Sequence, residues 1–344
     1  MRAVGVVLGL LALSGCASLQ TVRVAPPAAP TGPGVRYLES VPPVAQTAYQ
    51  CGPAALASVM RHWGRAGDAD LIGRTLYRRG TRGVLNFMLA QYAHEQGFWA
   101  EIHEATPEAL RAWLQRDVPP IVMLQVGPFW SPTYHFVVLR GFNDPAQLFY
   151  ANTGQAETRA IRYAHFVTRS KRAGSWTLII CPPGRVTWTL SGDQAGELGL
   201  LLERAGRLDL AERRYGEALA ARPTSVPVRF NLANVYLTTH RRPQAKAIYQ
   251  ALIKEQPGWG PASNNLAWIA LEENRPQEAV RLIEVAFQHG AARSYDILDT
   301  LGVAYRRLKR LPEARACFQE ALRKVPSERS ETQWAIRAHL DESQ

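Results

Sequence analysis

The sequence predicts an α+β domain followed by an all-α solenoid of helical repeats, and three observations carry that reading. A chain of 344 residues, 47% hydrophobic and 20% charged, has the length of about two globular domains and an ordinary globular composition. From Gly192 onward, small residues recur at a fixed interval: Ala211, Ala245 and Ala279 are 34 apart, and so are Pro223 and Pro257. Before that point the chain reads differently, with a helix start at Cys51 and apolar segments of strand length bounded by Gly and Pro.

The N-terminus reads as an address. Residues 1–15 hold one positive charge, an apolar run from Val4 to Leu13 and the small residues Ser14 and Gly15. That run suits a signal-peptide core and is far short of a membrane span. Leu13-Ser14-Gly15-Cys16 resembles a bacterial lipobox, which implies lipid attachment at Cys16 and removal of the residues before it. Several acyl chains at about 0.8 kcal/mol per buried methylene hold a protein on a membrane. Ala17 and Ser18 follow where inner-membrane lipoproteins of this kind carry Asp, so the resemblance implies the outer membrane of a Gram-negative cell, facing the periplasm. Residues 16–35 then form a Pro-rich tether with no apolar periodicity.

The first domain is expected over 36–185. Cys51-Gly52-Pro53 precedes Leu56, Val59, Met60 and Trp63 at helical spacing, and Pro in a first turn marks a helix start. Cys51 therefore falls at a helix N-terminus, where unpaired N–H groups favour a thiolate. Strands are expected at Pro119–Val126, His135–Phe142 and Leu148–Ala151, with a turn at Asn143-Asp144-Pro145. A hairpin between the last two brings His135 and Asn152 to neighbouring strand ends.

Gln46, Cys51-Gly52-Pro53-Ala54, Tyr134-His135-Phe136-Val137-Val138-Leu139 and Asn152, in that order, resemble the papain-like cysteine peptidases that process bacteriocin leaders after a double glycine. The resemblance implies an α+β papain-like cysteine peptidase domain. It implies Cys51 as nucleophile, His135 as the base that takes and returns its proton, Asn152 as the residue orienting the imidazole, and Gln46 as oxyanion donor. Asp144 is the rival for the third role and Gln50 for the fourth. The competing reading is a catalytically inactive pseudo-peptidase that assembles an envelope complex.

The second region resembles the tetratricopeptide (TPR) repeat. Leu198-Gly199, Leu232-Ala233, Leu266-Ala267 and Leu301-Gly302 take the close-packing position of each first helix, and Tyr215, Tyr249, Ile283 and Phe318 the large position of each second one. Four repeats are expected over 192–328 (192–225, 226–259, 260–294, 295–328), with a capping helix and tail over 329–344. The resemblance implies a TPR solenoid that binds substrate or a protein partner, with Asn231, Asn234, His240, Asn264 and Asn265 on its concave face.

Composition excludes other classes. The net charge of +11 divides into +6 over 36–185 and +3 over 186–344, without the concentrated Lys/Arg stripe and interleaved aromatics of a nucleic-acid groove. His62, His94, His103 and His165 lack metal-ligand spacing, so neither metal nor cofactor is expected. Cys181 and Cys317 are a candidate disulfide if the compartment is oxidising.

Overall fold

Helix α1 (Cys51–His62) is the spine of the first domain, and its composition explains its place. Gly52 to Met60 are all buried, and the small residues of that run let neighbours approach closely. A Cβ built on Gly52 would stand 3.4 Å from both Leu89 Cδ atoms and from Phe136 Cδ2. The computed structural model describes residues 32–47, 50–77, 84–127, 130–155 and 157–343. The expected signal segment, Cys16 and residues 16–31 of the tether lie outside the described residues. The chain divides into two units, Met1–Thr187 and Trp188–Gln344.

In the first unit α1 follows β1 (Val35–Tyr37) and is followed by α2 (Ala69–Leu76), α3 (Asn86–Glu95), β2 (Trp99–Glu104) and α4 (Pro107–Gln115). Then come β3 (Ile121–Gln125), β4 (Tyr134–Asn143), β5 (Leu148–Asn152), β6 (Thr158–Arg162), α5 (Tyr163–Arg172) and β7 (Trp176–Cys181). Among the described residues the strands make one antiparallel sheet of order β2-β7-β3-β4-β5-β6, with β1 paired to β4. The three expected strands are present. β1, β2, β6 and β7 are additional, and β7 enters between β2 and β3 by a non-local pairing that no local pattern announces. The core packs α1 and α3 residues such as Leu56, Val59 and Leu89 with Val137, Leu139, Phe149 and Leu178 of the sheet.

The second unit is a run of paired helices: α6 (Gly192–Arg204), α7 (Leu208–Ala221), α8 (Val226–Thr238), α9 (Arg242–Glu255), α10 (Gly260–Glu272), α11 (Pro276–Gln288), α12 (Tyr295–Arg307), α13 (Leu311–Lys324) and α14 (Ser330–Asp341). Small-against-large packing makes each pair. A Cβ on Gly199 would meet Tyr215 Cε1 at 2.6 Å, and one on Gly302 would meet Phe318 Cε1 at 2.5 Å. Tyr215, Tyr249, Ile283 and Phe318 are fully buried. The turns inside successive pairs repeat a left-handed residue: Gly206, His240, Asn274 and Lys309, with φ of 71°, 60°, 56° and 60°. His240 therefore belongs to a turn, and its expected place on a first-helix face is corrected. Asn234 is also committed within the stack, since its Oδ1 accepts from Tyr249 OH at 2.6 Å and from Asn265 Nδ2 at 3.0 Å. Cys181 in β7 and Cys317 in α13 are free thiols, one in each unit. Burial pushes them up to about 12 and about 11, so both stay protonated and unreactive.

Candidate active site

Cys51 opens α1, preceded by Gln50 as N-cap, with no acidic residue in the first turn to oppose the helix dipole. Gln50 makes no side-chain cap bond. Its amide Nε2 instead donates to Asp70 Oδ1 at 3.0 Å, so Gln50 is tied to α2. Pro53 lacks an N–H, which leaves the first turn with few donors and concentrates them at its very start.

The segment 38–47 runs past α1 without regular secondary structure, as its Pro42-Pro43 pair requires. Its carbonyls are met by side chains instead: Ser58 Oγ of α1 donates to Pro42 O at 2.6 Å, and Asn152 Nδ2 of β5 donates to Val41 O at 3.3 Å. This strap delivers Gln46. The Gln46 N–H donates to Gly154 O at 3.1 Å, and the Gln46 side chain lies directly over Gly154. Gly154 has φ +78°, and a Cβ there would stand 2.1 Å from Gln46 Cδ. Only glycine permits both the backbone and the passage of Gln46. Gln46 Oε1 is buried without a hydrogen-bond partner.

Cys51, Asn152 and Gly154 line one small cavity with Val44, Ala54, Ala55, Ser58, Phe136 and Val138. Its volume of about 10 Å³ is room for at most one water.

His135 stands second in β4, paired with Leu124 of β3, and is buried. Its Nε2 lies 3.0 Å from Thr153 O. A carbonyl only accepts, so Nε2 carries the proton and Nδ1 keeps the basic lone pair. Burial holds the imidazole pKa below its usual 6.5 against the opposing effect of the Thr153 bond. The ring is therefore neutral at neutral pH, a base rather than a standing cation.

Two expectations are corrected by this geometry. Asn152 does not orient His135: the β4–β5 register sets Asn152 opposite Val138, and its amide goes to Val41 O and Thr158 Oγ1. The backbone carbonyl of Thr153 holds the ring instead, and by engaging Nε2 it leaves Nδ1 as the nitrogen that can take a proton. Asp144 is ruled out as the alternative orienter by position. It follows the far end of β4, nine residues and roughly 30 Å from His135 at about 3.3 Å per residue, where its Oδ1 accepts from Arg111 Nη1 at 2.8 Å and Tyr163 OH at 2.7 Å.

Sequence reading missed Thr153, because a backbone acceptor leaves no signature in residue type. It also missed Arg140, for which a signal existed: a cation inside the otherwise apolar strand His135–Phe142.

Fold and site together define an α+β domain with a helix-terminal cysteine and a neutral buried histidine, joined to a helical repeat array. Comparison with known proteins matches each part to a family model. Residues 38–181 match the Peptidase_C39 like family, and residues 202–269 and 295–328 match the tetratricopeptide repeat. The chain thus carries a Peptidase_C39-like domain followed by TPR repeats. Similar solved structures include pilF of Pseudomonas aeruginosa (21% identity, 44% of this chain and 67% of that one, TM-score 0.39). Another is TTC0263, a thermophilic TPR protein of Thermus thermophilus (16%, 44% and 81%, TM-score 0.38). A third is YrrB, described as a TPR protein with an unusual peptide-binding site (15%, 44% and 79%, TM-score 0.33). No curated protein matches the chain.

Proposed function

We propose that the first unit is a thiol hydrolase, a cysteine peptidase acting on a peptide or protein, and that the repeats recruit its substrate or a protein partner. What supports this reading is that Cys51, at the head of α1, lines one cavity with Asn152 and Gly154, that Gln46 lies over Gly154, and that the neutral His135 is held by the carbonyl of Thr153, the residue between those two. Cys51 Sγ attacks a carbonyl carbon and its proton passes to His135 Nδ1, which returns it to the leaving amine. Gln46 and the Cys51 N–H receive the oxyanion. Water then repeats the sequence on the thioester and releases the acid. The Leu-Ser-Gly-Cys segment supports a lipid anchor at Cys16, and Ala17-Ser18 support an outer-membrane protein facing the periplasm.

Incubation of the full chain with a peptide library, read by product mass, tests this. Cleavage products that disappear in Cys51→Ala support the hydrolase, and transfer or deamidation products reassign the thiol's chemistry. A second reading, the inactive scaffold, draws on the partner of His135: an uncharged carbonyl steadies an imidazolium less than a carboxylate would. Full rescue of a deletion strain by Cys51→Ala favours the scaffold.

A further inference from the structure

Arg140 is a buried cation held by oxygens that carry no formal charge. It falls where the β4–β5 register shifts between Leu139 and Gly141, a bulge of the kind that re-aims a side chain. Its Nε and Nη2 donate to Leu38 O at 3.2 and 3.0 Å, Nη2 also to Glu39 O at 3.0 Å, and Nη1 to Thr158 Oγ1 at 3.0 Å. The guanidinium carbon lies 4.5 Å from the Tyr37 ring centroid.

The direction of the bonds beyond Arg140 is forced. A guanidinium only donates, so the Thr158 oxygen accepts there and the hydroxyl proton goes on to Asn152 Oδ1, 3.0 Å away. With its oxygen so engaged, Asn152 faces Val41 O with Nδ2, which donates at 3.3 Å. Asn152 and Thr158 are as buried as Arg140, so each link acts away from water, where an unmade bond is most expensive. We propose that Arg140, Thr158 and Asn152 form a one-way hydrogen-bond relay that pins the strap 38–47 and so sets Gln46 beside Cys51. Arg140 and Thr158 are positioning residues. Asparagine rather than aspartate stands at 152 because the Val41 carbonyl needs a donor, and a carboxylate would turn an oxygen on it. The Gln46 part of this inference rests on the hydrolase reading; the pinning of the strap does not.

The test uses the full chain, Thr158→Val as the mild variant, Thr158→Ser as its conservative control, and Asn152→Asp. Hydrogen exchange of a peptide covering 38–47 reports the strap, whose Leu38 and Gln46 N–H groups bond to Arg140 O and Gly154 O. Capture of acetyl-glycyl-glycinal reports Gln46: Cys51 sulfur bonds to the aldehyde carbon, the C=O π bond breaks, and the thiol proton ends on the oxygen that Gln46 faces. Thr158→Val and Asn152→Asp are expected to speed strap exchange at least tenfold and weaken capture at least tenfold. The exchange of β3 and β4 and the rate of Cys51 alkylation by iodoacetamide should stay within twofold in Thr158→Val. Thr158→Ser should restore both. Strap exchange unchanged in both variants overturns the relay, and faster exchange with undiminished capture overturns its effect on Gln46. Failure of the wild-type chain to capture the aldehyde would count against the hydrolase reading alone, leaving the relay to be judged by exchange.

Discussion

Replacing Gly154 with alanine is expected to remove Gln46 from the site while leaving the thiol in place. The added Cβ would stand 2.1 Å from Gln46 Cδ, 2.3 Å from Oε1 and 2.6 Å from Cγ, all well inside contact distance, so the side chain must leave. The backbone at φ +78° adds about 1–2 kcal/mol for any residue with a Cβ. The chain should therefore stay folded with a thermal midpoint lowered by a few degrees. Loss of one oxyanion donor costs about 10²–10³ in rate, so aldehyde capture should weaken by about a hundredfold. Gln46→Ala should lose the same factor without the backbone penalty. The double variant should bind no more weakly than Gln46→Ala alone, since alanine at 154 then finds nothing left to displace. Gly154→Ala that captures the aldehyde within twofold of wild type would refute the placement of Gln46 as donor.

Other consequences follow from packing and protonation. His135 and His62 are both held below 6.5 by burial, so the unfolded chain takes up protons that the folded one refuses. Unfolding free energy measured in urea should fall as pH drops from 7.5 through 6.5, and replacing both with glutamine should flatten that dependence. In the repeats one substitution should have opposite signs at two places. Gly302→Ala forces a methyl to 2.5 Å from the buried Phe318 ring and should destabilise by about 1–2 kcal/mol, overpacking outweighing helix propensity. Gly216→Ala in α7 has nothing within 4 Å and should stabilise by about 0.5–1 kcal/mol, read by thermal unfolding. Asp144→Asn should leave aldehyde capture unchanged while lowering stability by about 1 kcal/mol through its bonds to Arg111 and Tyr163.

The repeats were legible because their register is carried by covalent spacing. The first helices of the pairs begin at Gly192, Val226, Gly260 and Tyr295, the intervals that Ala211, Ala245, Ala279 and Ala314 already display. Helix α1 was legible for a similar reason, since Gly-Pro-Ala-Ala before an apolar stripe has few other uses. The histidine's partner was hidden. Counting 17 residues across a hairpin ignores the bulge at Arg140 and the end of β5, so Asn152 lands opposite Val138 and the ring finds a carbonyl. The same bulge turns an apparently misplaced cation into the clamp of the strap. β7 was illegible because its neighbours β2 and β3 are far from it in sequence, and His240 because a left-handed turn tolerates many residue types.

Whether Cys51 and His135 act as one pair is decided by the rate at which iodoacetamide alkylates Cys51 as a function of pH. The pairing predicts wild-type labelling at pH 7 at least tenfold faster than in His135→Ala, with the difference vanishing as the thiol ionises by itself near pH 8.5. Identical profiles, both rising only near 8.5, would contradict it and leave Cys51 an ordinary thiol at the head of a helix.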